Sequence, residues 1–126
     1  MRRRSIVFGA VIACLCGAAW GAERPIRGDR IAELLNGNTV LGIWGGDPYR
    51  QYFTAAGETI YAVEGQRSTL GRWRIGEHGD FESQWGAEPW ERYPIVTIDE
   101  ELHWVAQSGA RLPFKILPGE QLVWPQ

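Results

Sequence analysis

The chain has 126 residues, 44% of them hydrophobic and 22% charged, and its formal net charge at pH 7 is −2. This length provides for one domain with one hydrophobic core. Without residues 1–21, which carry three arginines and no acid, 10 basic residues face 15 acidic ones and the net charge becomes −5. That balance argues against nucleic acid as a partner, because binding to phosphates requires a basic face.

The first 21 residues have the pattern of a secretory signal peptide. Arginines at positions 2–4 precede an apolar stretch over 6–16, and Ala19-Trp20-Gly21 forms a small-x-small cleavage site before Ala22. The apolar stretch is shorter than the roughly 20 residues of a membrane-spanning helix, and no later stretch is long enough. The sequence therefore predicts a periplasmic or secreted protein without a transmembrane span.

Cys14 allows an alternative, in which Val11-Ile12-Ala13-Cys14 is a lipoprotein processing site and Cys14 carries the lipid. The hydrophobic stretch continues beyond Cys14, where lipoproteins turn polar, so the general signal-peptide pattern fits better. Cleavage before Ala22 removes both cysteines, at positions 14 and 16, with the leader. The mature chain then has no thiol for a disulfide, a nucleophile or a metal site.

After the leader, residues 22–28 are predicted as an extended lead-in and residues 29–126 as a single domain. The domain begins with a short helix, for which Asp29 is the predicted N-cap and Asn36-Gly37 the C-terminal stop. Its apolar positions fall at helical spacing: Ile31, Leu34 and Leu35. Because so short a helix is marginal alone, we expect its apolar side to dock on one open end of the following sheet.

Short apolar-aromatic runs, separated by glycine-bearing turns, make up the rest of the chain. A turn every 8 to 12 residues or so is typical of an all-β barrel or sandwich, and a closed barrel leaves no exposed edge. We predict an antiparallel meander barrel of about eight strands. Pro94 and Pro113 each remove one ladder donor and are expected at edges or bulges. The predicted strands are 39–44, 49–55, 59–64, 70–75, 81–85, 92–98, 102–107, 110–116 and 121–124.

Several short motifs together resemble a group of small secreted bacterial domains of unknown function. The motifs are Leu35-Asn36-Gly37-Asn38-Thr39 leading to Gly42, Tyr52-Phe53 with Gly57, Gly71-Arg72-Trp73, and Trp85. The resemblance covers most of the mature chain and implies a barrel exported to the periplasm. Members of the group often carry two cysteines, at places that hold Ser83 and, approximately, Tyr93 here. The resemblance thus implies that this chain lacks the disulfide of the group.

A second resemblance is to the lipocalins. Gly42-Ile43-Trp44 is a G-x-W tripeptide just after a short helix, as at the start of a lipocalin barrel. The resemblance implies a barrel that encloses a ligand. The chain departs from the lipocalin pattern in its shortness and in having no long helix after the barrel.

Aromatic residues are the strongest compositional signal, since six tryptophans, four tyrosines and three phenylalanines remain after residue 21. One interpretation is a ligand pocket at one barrel mouth, because aromatic side chains stack on flat or hydrophobic ligands. The predicted lining is Trp44, Tyr52, Trp73 and Trp85. The other interpretation is that a small domain without disulfides fills its interior with large side chains to gain stability.

The primary functional hypothesis is a non-enzymatic binder of a small apolar or amphipathic ligand or of an envelope component. The alternative is a protein-interaction module, such as an inhibitor of an envelope-directed enzyme, which inserts the loop 86–90. Trp90, Pro89 and Glu88 are the residues that this loop would present.

Enzymatic activity ranks third, as a hydrolase. His78 and His103, the only histidines, have no metal-ligand spacing, so no metal and no cofactor are predicted. No G-x-S-x-G motif occurs, and no glycine-rich turn leads from a strand into a helix, as a phosphate loop must. No catalytic residue is assigned, although folding could bring remote residues into a triad.

Overall fold

The computed structural model of the protein describes residues 22–125, so the predicted signal peptide and Cys14 lie outside the described residues. Within them the fold is all-β: ten antiparallel strands form one curled, half-barrel sheet with a single short helix, α1 (Asp29–Leu35). No helix in this part of the chain is long and apolar enough to cross a membrane. The strands are β1 (Glu23–Ile26), β2 (Asn38–Trp44), β3 (Asp47–Phe53), β4 (Glu58–Val63), β5 (Thr69–Ile75), β6 (Phe81–Trp85), β7 (Glu91–Arg92), β8 (Ile95–Ile98), β9 (Glu101–Val105) and β10 (Arg111–Pro118).

The strand order in the sheet is β1-β8-β9-β10-β2-β3-β4-β5-β6-β7. Strands β2 to β7 form a meander in which each strand pairs with the next along the chain. Strands β8 to β10 form a second meander, and β10 joins it to the first because residues 114–118 pair with residues 38–42 of β2.

Tyr93 and Pro94 connect β7 to β8, although the two strands belong to opposite ends of the strand order. The Tyr93 N–H donates to the Phe81 carbonyl over 2.9 Å, which continues the pairing with β6. The Pro94 carbonyl accepts from the Val105 N–H over 2.8 Å, which continues the pairing with β9. Because one extended segment serves both ends of the sheet, the sheet must curl until those ends meet.

The ten strands differ from the nine predicted ranges by two additional strands and one missing strand. The lead-in is not merely extended: residues 23–26 form β1, which pairs with β8. The predicted strand 92–98 is divided at Pro94, which has no N–H to donate. One predicted strand is missing, because residues 121–124 are not a strand. The Arg50 guanidinium holds this segment through bonds from Nη1 to the carbonyls of Gln121 and Val123, over 2.8 and 3.1 Å.

Helix α1 packs at the end of the sheet where β3 ends, as its apolar spacing predicted. Ile31 and Leu35 are fully buried in the core. Gly37 follows the helix with a φ of +74°, a conformation that glycine adopts without strain. Its N–H donates to the Phe53 carbonyl over 2.7 Å, which ties the end of the helix to the end of β3.

The start of α1 differs from the prediction, because Gly28 rather than Asp29 is the N-cap. Gly28 makes no side-chain capping bond and has a φ of +61°. Its N–H donates to the Gly79 carbonyl, in the turn between β5 and β6, over 2.8 Å. A backbone bond to a neighbouring turn therefore fixes the start of the helix in place of a carboxylate cap.

Five aromatic rings form a continuous stack through the core. Phe53 meets Trp73 edge to face with centroids 5.6 Å apart, and Trp73 stacks on Phe81 at 6.1 Å. Phe81 in turn contacts Trp104 at 4.8 Å, and Trp104 stacks on Phe114 at 4.6 Å. Pairs in these geometries stabilise by about 0.5–1.5 kcal/mol beyond their area burial, so the aromatic content contributes directly to stability.

Leu35→Ala is expected to lower the free energy of unfolding by about 2–5 kcal/mol, because it leaves a cavity between α1 and the sheet. Leu70→Ala is the matched control: Leu70 is 63% exposed, and its loss should cost less than about 1 kcal/mol. Urea denaturation of both variants measures the difference. Equal losses would contradict the docking of α1 as an integral part of the core.

Candidate functional site

A cavity of about 300 Å³ lies at the end of the sheet opposite α1, where β2 and β6 end and β5 begins. Its volume is at the lower bound of small-molecule pockets, which span roughly 300–1,000 Å³. Most of its lining is aromatic: Trp44, Tyr49, Tyr61, Phe81, Trp85, Tyr93 and Trp104. The polar lining residues are Gln51, Thr69 and Ser83.

Burial divides the lining into a floor and a rim. The floor residues are buried: Tyr49, Gln51, Phe81, Ser83 and Trp104. The aromatic rim residues are half-buried: Trp44, Tyr61, Trp85 and Tyr93. A cavity with a buried floor and a partly exposed rim is open to solvent on one side, so a ligand can enter it without unfolding of the sheet.

Alternation along the strands selects which side chains face the cavity. On β3, Tyr49 and Gln51 point inward together with Phe53, and Tyr52 therefore belongs to the opposite face. On β6 the same period brings residues 81, 83 and 85 to the inner face.

Two of the aromatic walls lie over glycines on the neighbouring strands. Tyr49 is the register partner of Gly42, and a Cβ at Gly42 would come within 2.9 Å of the Tyr49 hydroxyl. Trp85 is the register partner of Gly71, and its ring occupies the space that a Cβ at Gly71 would need. Absence of a side chain at these two positions therefore lets the rings lie close to the sheet and leaves room beside them.

Hydrogen bonds fix the two walls in place. The Trp104 indole donates to the Tyr49 hydroxyl over 2.9 Å, and the Trp85 indole donates to the Ser83 hydroxyl over 3.2 Å. Tyr61 connects the walls, because it stacks on Tyr49 at 5.1 Å and meets Trp85 edge to face at 6.1 Å. The cavity is thus held open by packed and hydrogen-bonded rings, and it needs no ligand to form.

In the described part of the chain no charged side chain lines the cavity, and the lining tyrosines stay neutral to high pH. Burial raises the pKa of Tyr49, whose neutral phenol is favoured away from water. Burial, with the nearby charge of Asp47, also raises the pKa of Tyr61. Burial, followed by the 2.8 Å hydrogen bond to Glu91, raises the pKa of Tyr93 to about 12.

The structure places the four residues of the predicted pocket at different sites. Trp44 and Trp85 line the cavity. Trp73 faces inward but belongs to the packed core, where its indole donates to the Thr54 carbonyl over 2.9 Å. Tyr52 lies on the other face of β3 and is not among the lining residues. The sequence contained this information, because side chains alternate along a strand. Tyr49 and Phe53 are four positions apart and share one face, whereas Tyr52 must lie on the other.

The loop 86–90 lies outside the cavity. Glu88 and Pro89 are exposed, whereas Trp90 is half-buried. The guanidinium carbon of Arg74 lies 3.9 Å from the centroid of the Trp90 ring, a cation–π contact. Arg74 also donates to Glu82 over 2.7 Å, so Trp90 covers a cross-strand ion pair on the outer side of the sheet.

The histidines lie away from the cavity as well. His103 is half-exposed on β9, with Nδ1 2.9 Å from the Glu101 carbonyl oxygen, and His78 is an exposed turn residue. Among residues 22–125, no three histidine, cysteine or acidic side chains gather in a way that would hold a metal ion.

Comparison with known proteins gives no relative: no family model, no curated protein and no solved structure matches this chain. The resemblance to small secreted bacterial domains accordingly remains an expectation from the motifs. Ser83 and Tyr93, which the resemblance places at and approximately at the cysteine positions of that group, both line the cavity.

Gly71→Ala is expected to lower the free energy of unfolding by about 1–3 kcal/mol, because the new methyl group overlaps the Trp85 ring. The same substitution in a Trp85→Ala background should cost less, since the ring is then absent. Chemical denaturation of the single and double variants gives the coupling between the two sites. Purely additive losses would show that Gly71 does not position Trp85.

The free energy of unfolding should fall between pH 10 and about pH 12. An unfolded tyrosine ionises near pH 10, whereas the pKa of Tyr93 in the folded chain is about 12. The stabilisation is therefore complete below pH 10 and is lost as the pH rises through 12. Tyr93→Phe should reduce the fall. Urea denaturation across this pH window measures the free energy of unfolding, and tyrosinate absorbance gives a second signal. If the free energy falls with pH as steeply in Tyr93→Phe as in the wild type, the raised pKa does not belong to Tyr93.

Proposed function

We propose that the protein is an exported, non-enzymatic binder of a small apolar or amphipathic molecule. The observation that carries the proposal is the solvent-accessible aromatic cavity of about 300 Å³. Protein interiors normally pack as densely as organic crystals, and a void forfeits dispersion contacts. If the aromatic residues served only to fill the interior, their rings would be expected to close this space. Rings that hydrogen bonds fix around an open space favour a binding site instead.

The volume limits the size of the ligand. About 300 Å³ is at the lower end of the roughly 300–1,000 Å³ range of small-molecule pockets. A molecule of one or two rings fits such a space, whereas a long acyl chain would extend beyond the rim. The walls suit the same kind of molecule, because the stacked Tyr49 and Tyr61 and the edge-on Trp44 and Tyr93 present aromatic surface.

The export part of the proposal is supported by the leader pattern of residues 1–21. The interaction-module alternative has less support, because Trp90 is engaged by Arg74 instead of being presented to solvent. Hydrolysis has the least support, since neither histidine lines the cavity.

Trp85→Leu is expected to weaken ligand binding by about tenfold or more, since buried aromatic residues dominate binding energy. Trp90→Leu is the matched control, because Trp90 lies five positions away on the outer side of the sheet, and it should leave affinity within about twofold. A panel of small aromatic amides, phenols, sugars and fatty acids is screened by quenching of tryptophan fluorescence, and hits are measured by titration calorimetry. The proposal would be contradicted if no compound of the panel quenched the fluorescence, or if the two variants changed the affinity equally.

A further inference from the structure

We propose that the cavity selects neutral, planar aromatic molecules of one or two rings that carry an N–H or O–H donor, and that the side-chain oxygen of Gln51 accepts from that donor. This inference rests on the proposed function and adds the chemistry that the site recognises. It depends on three properties of the described residues: the orientation of one buried amide, its missing partner, and the lack of charge around it.

The orientation of the Gln51 amide is set by a short chain of hydrogen bonds. The Thr59 hydroxyl donates its single proton to the Tyr52 carbonyl over 2.9 Å. It can therefore only accept from Gln51, whose Nε2 lies 2.9 Å away. The amide must present its NH₂ group to Thr59, so its oxygen, Oε1, points elsewhere.

Gln51 lines the cavity, and its Oε1 atom has no hydrogen-bond partner among the described residues. The residue is only 7% exposed, and it lines the cavity floor. No residue between 22 and 125 donates a hydrogen bond to Oε1. In this part of the chain, Arg50 Nε is the side-chain polar atom that is both inaccessible to solvent and unpaired. Gln51 Oε1 does not belong to this class, so it is accessible to solvent. Since Oε1 is unpaired but accessible, the space that it faces is the cavity.

This acceptor discriminates between ligands. Solvent satisfies it in the free protein. A ligand that displaces this solvent without supplying a donor leaves a buried carbonyl oxygen unpaired, which is costly. A ligand of the same shape with an N–H or O–H restores the bond. Sites with a buried hydrogen-bonding group reject analogues that lack the complementary group more strongly than purely apolar pockets do.

The ligand should also be neutral. Among residues 22–125 the lining has no charged side chain, so a charged group would lose its hydration without gaining an ion pair. The nearest acids lie at the rim: Glu91 accepts from the Tyr93 hydroxyl over 2.8 Å, and the charge of Asp47 acts on Tyr61. Both disfavour the approach of anions such as carboxylates. A cation would gain contacts with the aromatic ring faces, but it would lose most of its hydration to reach the floor.

The test uses two probes of the same shape, indole and 1-benzothiophene, of which only indole has a donor. Titration calorimetry with the mature chain gives the ratio of their dissociation constants. We expect indole to bind at least about tenfold tighter to the wild-type protein. In Gln51→Leu this preference should disappear. Benzothiophene is more apolar than indole, and this difference contributes to the ratio of dissociation constants in both the wild type and the variant. Comparison of the two ratios therefore cancels it, as in a double-mutant cycle.

A second pair of variants separates recognition from structural damage. Thr59→Val removes the acceptor that orients the Gln51 amide and should abolish the preference for indole although Gln51 is still present. Thr59→Ser keeps the hydroxyl and should keep the preference. If Thr59→Val only damaged the structure, it would weaken the binding of both probes alike and leave the ratio of their dissociation constants unchanged. That result would show that Thr59 is not a positioning residue.

The outcomes distinguish a failure of this inference alone from a failure of the proposed function. Binding of both probes with the same ratio in wild type and Gln51→Leu would overturn the role of Gln51 and leave a non-selective pocket. Tighter binding of tetramethylammonium than of indole would overturn the requirement for neutrality. Binding of neither probe, together with silence of the wider panel, would remove the proposed function and this inference together.

Discussion

Hydrogen bonding by the extended segment 91–98 is the constraint on which the rest of the structure depends. One part of this segment pairs with β6 and the other part pairs with β9. The two ends of the sheet must therefore lie close to each other. A flat sheet could not satisfy both sets of bonds. The curl that results turns one face of every strand inward, and it is this enclosure that allows a chain without a disulfide in its described part to bury a stack of aromatic rings.

The enclosed space has two different ends. At one end α1 is tied by backbone bonds to Phe53 and Gly79, and its buried leucine and isoleucine complete a packed core. At the other end no helix of residues 22–125 covers the sheet, and the rings of Tyr49 and Trp85 lie over Gly42 and Gly71. The helix-covered end is packed, whereas the other end keeps a cavity and a buried amide.

Much of the architecture was predictable because its causes are local. Turn glycines and period-two alternation indicated the strands, and the alternation on β5 agrees with burial of Trp73 and exposure of Arg72 and Arg74. Helical spacing identified α1. The less accurate predictions depend on distant partners. Residues 23–26 became a strand because β8 was available for pairing, and residues 121–124 did not, because they are held by Arg50.

By itself the sequence determined the all-β class and the position of the helix, since propensity, turn chemistry and side-chain period act within a few residues. Only the tertiary structure decided which inward side chains line the cavity and which pack in the core: Trp85 lies at the rim and Trp73 at the packed end. The same holds for Gln51, whose orientation depends on Thr59 from the neighbouring strand. Curl and register arise from backbone pairing between residues far apart in the chain, and no local pattern encodes them.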